Sequence, residues 1–241
     1  MKIRLQVFLS RNGVSSRREA MDIVQSGRVS VNGQVVAEPS FPVDPEKDEV
    51  RYQDKVVGRK GYEYVMLHKP SGYVTTKADS FASKKVIDLL PEEFRHLNPA
   101  GRLDKDTEGL LIFTNDGDVL HALTHPKFDV GKVYFVRVRG ELGLRAKRSF
   151  ESGVVLDGKK TSPAQIRQVK YNGKATDFEI VIHEGWNRQI RRMCESAGLP
   201  VRYLKRIQHG AIRLGDLPKG KWRRLTKSEV EDLRKFKSDI L

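Results

Sequence analysis

Cysteine is nearly absent from this chain, Cys194 being the single one. That excludes an internal disulfide framework and any Cys-rich zinc site. Long apolar runs are missing as well. None approaches the roughly 18 residues that a membrane-crossing helix needs. The opening MKIRLQ is interrupted by charge too early to read as a secretory leader. Gly and Pro, 20 and 10 of 241 residues, are too sparse for a low-complexity chain, and no internal repeat stands out. What is present is 38% hydrophobic residues, enough for a real core, and 45 Lys and Arg against 31 Asp and Glu, for a net charge of +14. The expectation is an intracellular, cytosolic, strongly basic protein, built as one large domain or as a small and a medium one.

The charge is concentrated. Residues 1–36 carry +4 and residues 187–224 carry +9, so the rest of the chain sums to +1. Two basic patches on an otherwise balanced chain suit a polyanion, since each neutralised phosphate releases counterions. Neither patch reads as a basic amphipathic helix with an apolar face, so nucleic acid is favoured over a membrane surface. The competing reading is a solvated, solubilising face.

The chain divides near residue 55. Ile3, Leu5, Phe8 and Leu9 fall at near-helical spacing, and Asn12-Gly13 supplies a stop. Ser16 and Glu19 form a capping box for a second helix, which Gly27 ends. Alternating valines around Asn32-Gly33 predict a hairpin, and residues 50–52 a further strand. Residues 53–61, QDKVVGRKG, are polar and glycine-flanked and read as a linker. The expected organisation is a small helix-and-hairpin domain over 1–55, a linker over 56–61 and a larger domain over 62–241. Strands are expected there near 64–67, 110–113, 133–138, 164–169 and 178–182. Helices are expected near 85–90, 118–123, 142–151 and 188–197, with a last one capped by Thr226. That irregular order predicts an α+β fold with a mostly antiparallel sheet.

Some residues invite chemistry and then decline it. His121 and His125 have i, i+4 ligand spacing but no evident third ligand, and read as helix-end histidines before Pro126. Cys194 has no His partner at recognisable spacing and reads as core. No glycine-rich phosphate loop opens a helix, so neither a metal nor a nucleotide cofactor is expected. The informative stretch is residues 101–111, GRLDKDTEGLL, a charged loop entering an apolar strand. Residue chemistry alone leaves Asp104, Asp106 and Glu108 open as a reactive carboxylate.

Five segments together resemble one family over nearly the whole chain. Residues 15–20 (SSRREA), Gly27, Val29 and residues 31–33 (VNG) fall on the pattern of the RNA-binding module named after ribosomal protein S4. Residues 68–72 (HKPSG), 101–111, 132–134 (KVY) and 184–193 (EGWNRQIRRM) match, in order, motifs of the ribosomal RNA pseudouridine synthases of the small-subunit/large-subunit branch. The resemblance implies isomerisation of a uridine in ribosomal RNA. The essential aspartate is then Asp104, Tyr134 contacts the flipped base, and Arg191 pairs with Asp104. Leu204 lines the base pocket, and Arg102 helps occupy the space the nucleotide leaves. Lys69, Asn187 and Arg188 from the motifs, and Arg17, Arg18 and Arg28 from the module, are substrate-binding candidates. Val133, where the family often has Thr, is a small departure. The implied partner is ribosomal RNA, of the large subunit before the small, with no cofactor, metal or membrane, and the protein is expected to be a monomer. The alternatives are a small-subunit RNA synthase and a noncatalytic RNA-binding assembly factor.

Overall fold

The computed structural model describes residues 2–58, 61–76 and 84–236. It separates into two units, 1–63 with 92–97, and 64–91 with 98–241. Among the described residues, no helix is long and apolar enough to cross a membrane.

In the first unit, Ile3–Arg4 is a short strand paired with Pro42–Val43, and the first helix starts at Leu5. The Ser16–Glu19 capping box forms in both directions, with hydrogen bonds of 2.9 and 3.3 Å, and opens the helix Arg17–Gln25. Asn32 and Gly33, at φ +51° and +81°, make the tight turn between Val29–Val31 and Gln34–Val35. The expected linker is in part structure. Gln53 and Asp54 turn at positive φ, and Lys55–Val56 pairs back onto Val50–Tyr52 as the edge of a four-stranded sheet. Polar composition concealed this because an edge strand buries little of either face, and both Lys55 and Val56 are exposed. Residues 59–60 of that segment lie outside the described residues. Leu5, Phe8, Leu9, Val24, Val29 and Val50 form the core.

The second unit is built on a nine-stranded sheet. Its main order is Gln165–Tyr171, Ala175–Ile182, Lys132–Arg139, Val201–His209, Glu108–Thr114, Tyr64–Lys69 and Trp222–Arg224. Neighbours are antiparallel except where Val201–His209 meets Glu108–Thr114. The fold is therefore α+β with a mixed, mostly antiparallel sheet. Every residue of Glu108–Thr114 is buried, as expected for a central strand covered on both faces. Gly109 makes the parallel contact possible. Its φ is +110°, and a Cβ there would lie 2.2 Å from the carbonyl oxygen of Arg206.

One expectation changes here. Residues 85–90 form a short 3-10 turn, Val86–Leu89, in place of a helix. Val201–His209, for which the sequence named no element, is a central strand whose alternation is obscured by Arg and Lys. The helix Gln189–Ser196 buries Ile190, Met193 and Cys194, and burial pushes the Cys194 thiol up to about 12, that of an inert core residue.

Candidate active site

The charged loop is held by the segment before it. Lys69 is fully buried and its Nζ donates to the carbonyl oxygens of Pro70 (3.2 Å), Asp104 (3.0 Å), Lys105 (3.2 Å) and Thr107 (2.7 Å). Gly72 N–H donates to Lys105 O at 2.7 Å, and the Thr75 hydroxyl donates to Leu103 O at 2.8 Å. Burial lowers the Lys69 pKa to about 8, although Asp106, Asp104 and Glu108 pull the other way. Lys69, which the sequence suggested as a substrate contact, is buried beneath the loop and lines neither of the cavities beside Asp104. An ammonium with its donors committed to loop carbonyls is a positioning group.

Geometry separates the three acids that sequence alone left open. Glu108 is buried and accepts from Lys219 Nζ and Tyr203 Oη, each at 2.8 Å. Burial opposes its ionisation, yet these donors hold its pKa below the ordinary carboxylate value. Asp106 accepts from Arg188 Nη1 at 3.2 Å and meets Arg191 Nη2 at 3.3 Å. Asp104 differs: its carboxylate has no hydrogen-bond or ion-pair partner among the described residues, and Asp104 lines two neighbouring cavities.

The expected Arg191–Asp104 pair is thus replaced by Arg191–Asp106. Thr107 N–H donates to Asp104 O at 3.1 Å, and this turn separates the two carboxylates. Arg191, on the helix Gln189–Ser196, is 7% exposed. Its Nη2 also donates to Asp106 O at 3.1 Å, and its Nε is buried without an acceptor. It supports the loop without lining either cavity beside Asp104.

The smaller cavity, about 80 Å³, brings Asp104, Tyr134, Leu204, Arg102 and Arg188 together. The other, about 380 Å³, adds Lys105 and Asn187. Tyr134 and Leu204 come from adjacent sheet strands, where Tyr134 faces Arg206 and Leu204 faces Val136. Both are buried except for what the cavity exposes, 8% and 4%. Trp186 lines both cavities and was not singled out in the sequence; a tryptophan in the glycine-flanked, charged EGWNR run was the available signal. Its loop is fixed by Gln189, whose Oε1 accepts from Trp186 N–H (3.1 Å) and whose Nε2 donates to Glu184 (2.6 Å). Arg17, Arg18 and Arg28 are exposed on the first unit. His121 and His125 stack with ring centroids 4.9 Å apart, and among the described residues no group of three or more His, Cys, Asp or Glu could hold a metal ion.

The second unit thus presents an unpaired carboxylate, a tyrosine and arginines on one mixed sheet, and the small first unit carries exposed arginines of its own. The profile of the RNA pseudouridylate synthase family matches residues 63–196, and that of the S4 domain residues 3–50. An uncharacterised RNA pseudouridine synthase of Aquifex aeolicus is 39% identical over 98% of this chain and 95% of its own length. Ribosomal large subunit pseudouridine synthase B of Bacillus subtilis is 37% identical over 96% of this chain and 95% of its own. A crystal structure of a pseudouridylate synthase superposes with a TM-score of 0.69 at 29% identity, covering 96% of this chain and 99% of that one. The chain belongs to the RNA pseudouridine synthase family and carries an N-terminal S4 domain. It is an isomerase of uridine in RNA.

Proposed function

We propose that this enzyme converts a uridine of large-subunit ribosomal RNA to pseudouridine, with the Asp104 carboxylate as its reactive group. The observation that carries the reading is Asp104 itself, the one acid of its loop that is unpaired and lines the cavities. The large-subunit assignment is supported by the likeness to the Bacillus subtilis enzyme, named for that subunit, along 96% of the chain.

The glycosidic bond of a stacked nucleotide is out of reach, so the target uridine is extruded. Its base lies against Tyr134 and Leu204, which supply a flat ring and an apolar wall at low entropic cost. Arg102, exposed where the cavities meet, reaches into the space left in the RNA. The Asp104 carboxylate acts on the sugar as nucleophile at C1′ or as base at C2′. On either route the N1–C1′ bond breaks with its electron pair going to the uracil, and the ring turns. C5 joins C1′ as the Asp104 ester is displaced or the C2′ proton is returned, and the C5 proton is lost while N1 takes one up. Lys69, Arg191 and Asp106 position the loop; Asn187 and Arg188 flank the entry. Residues 1–55 dock RNA, with Arg17, Arg18 and Arg28 on the phosphate backbone. Such an RNA substrate implies action in the cytoplasm.

The test is tritium release from transcripts carrying 5-tritiated uridine, paired with pseudouridine mapping in a strain lacking the protein. Release from large-subunit RNA and loss of one pseudouridine there are expected. Release confined to small-subunit RNA would overturn the substrate assignment.

A further inference from the structure

A third cavity, of about 320 Å³, lies beside the one that holds Asp104, and the chemistry above leaves it unused. Its floor is one face of the paired strands Lys132–Arg139 and Val201–His209. There Tyr134 stands opposite Arg206, and Lys132 opposite His209. Tyr134, Arg102, Gly185 and Trp186 are common to both cavities.

The charges in this cavity are unevenly satisfied. Its two acids are engaged by neighbours. Asp129 meets His183 Nδ1 at 3.1 Å. Glu184 accepts from Ser162 N–H at 3.0 Å and from Gln189 Nε2 at 2.6 Å. Among the described residues Lys132 and Arg206 form no ion pair, although the Asp129 charge acts on Lys132 through space. Arg206 is 1% exposed; its Nε donates to Leu110 O at 2.8 Å, and its buried Nη2 meets no acceptor. Lys132 Nζ has the Val130 carbonyl oxygen, at 3.2 Å, as its hydrogen-bond partner among the described residues. Burial, reinforced by the Arg206 guanidinium, depresses the Lys132 ammonium to about 8. His209 is fully buried with its pKa pushed well below the ordinary value, so it adds no positive charge. A guanidinium and an ammonium sharing one cavity with no direct ion pair is a costly arrangement, and an incoming anion with several acceptor oxygens relieves it.

We propose that this cavity is a phosphate subsite in which Lys132 and Arg206 hold a phosphodiester of the RNA strand next to the nucleotide whose base lies at Asp104. The assignment rests on the functional reading above and deepens it. A strand phosphate is favoured over a free anion because the cavity shares Tyr134 and Arg102 with the base site, within one continuous cleft. Anchoring the backbone there fixes the extruded sugar relative to Asp104, which is the positioning that a unimolecular glycosyl rearrangement needs.

The experiment uses the full chain and a short RNA carrying the mapped target uridine. Equilibrium affinity is measured with natural linkages and with single neutral methylphosphonates at each linkage within two nucleotides of the target. Sugars on the 5′ side of each replaced linkage are 2′-deoxy in substrate and matched control. For the wild type, one linkage is expected to stand out with a loss of roughly tenfold. Lys132→Gln, a substitution at a half-buried site, should lose a similar factor on natural RNA and flatten the salt slope by about one phosphate contact. It should then be indifferent to the linkage that matters to the wild type. Single-turnover rates at saturating RNA should fall as well, because the bound sugar is no longer fixed against Asp104. Uniform response of the wild type to all linkages would overturn the site, as would an unchanged linkage profile in Lys132→Gln. Inorganic phosphate raising the melting temperature, with no linkage effect, would mark a free-anion site and overturn the phosphodiester. Absence of pseudouridine from natural RNA would instead overturn the functional reading, and this site with it.

Discussion

Arg191 closes on Asp106, its Nη2 3.3 Å from Oδ2 and 3.1 Å from the Asp106 carbonyl oxygen, and so leaves the Asp104 carboxylate unpaired. The loop is thereby stiffened from one side while Asp104, the proposed reactive group, lines the cavities on the other.

Asp104→Asn should therefore abolish pseudouridine formation at little structural cost. No ion pair is broken, so unfolding free energy should stay within about 1 kcal/mol of wild type. RNA affinity should hold, since phosphate contacts dominate it. Single-turnover assays and urea denaturation on the same preparation check both. Measurable turnover by pure Asp104→Asn would remove the carboxylate from the mechanism.

Asp106→Asn and Arg191→Lys should differ in degree. The amide keeps the backbone contact to Arg191, so its rate at saturating RNA should fall by about tenfold, with a stability loss on the order of 1 kcal/mol after solvent screening. Arg191→Lys gives up the planar fork and its bonds to both Asp106 and Thr107, and should lose more. The reverse ranking in single-turnover rate would count against a positioning role.

Lys69→Met should destabilise the protein by about 2–4 kcal/mol, because buried carbonyl oxygens lose their donor. Activity should drop through the loop, and RNA affinity at permissive temperature should change little. Denaturation combined with RNA binding separates this from the substrate contact that the HKPSG motif first suggested.

Gly109→Ala should be among the most damaging single-methyl additions in the chain. The residue sits at φ +110° and its Cβ would meet Arg206 backbone at 2.2 Å, so the parallel pairing must open. A loss of about 3 kcal/mol or more, or insoluble expression, is expected. A melting temperature near wild type would show that the two strands separate easily.

His209 sets part of the acid limit of stability. Its folded-state pKa lies well below 6.5 through burial and the nearby Arg206 and Lys132 charges. As pH falls below 6.5, the unfolded chain takes up a proton that the folded one refuses, so stability declines. The slope attributable to this group is at most about 1.4 kcal/mol per pH unit. His209→Gln should reduce that decline in urea denaturation between about pH 5 and 8.

Much of the local structure was legible because it depends on neighbours a few residues away. The Ser16–Glu19 and Thr226–Glu229 capping boxes and the Asn32-Gly33 turn formed as read. Lys55–Val56 and Val201–His209 were not legible as strands. One is an exposed edge, and the other mixes cations with apolar residues, one of which cations, Arg206, is buried in the sheet. Trp186 escaped notice within a run that was otherwise read for its charge.

The sequence by itself determined the class of protein, the S4 domain and the loop that carries the acid, because ordered motifs and short-range turn chemistry survive without coordinates. Which acid of the loop stands free, that Lys69 is buried against the loop carbonyls, and that Lys132 and Arg206 share one cavity were decided by tertiary structure. Each depends on strand register and helix placement across distant parts of the chain. Residue spacing carries no information about which face of a sheet will be left without a counter-charge.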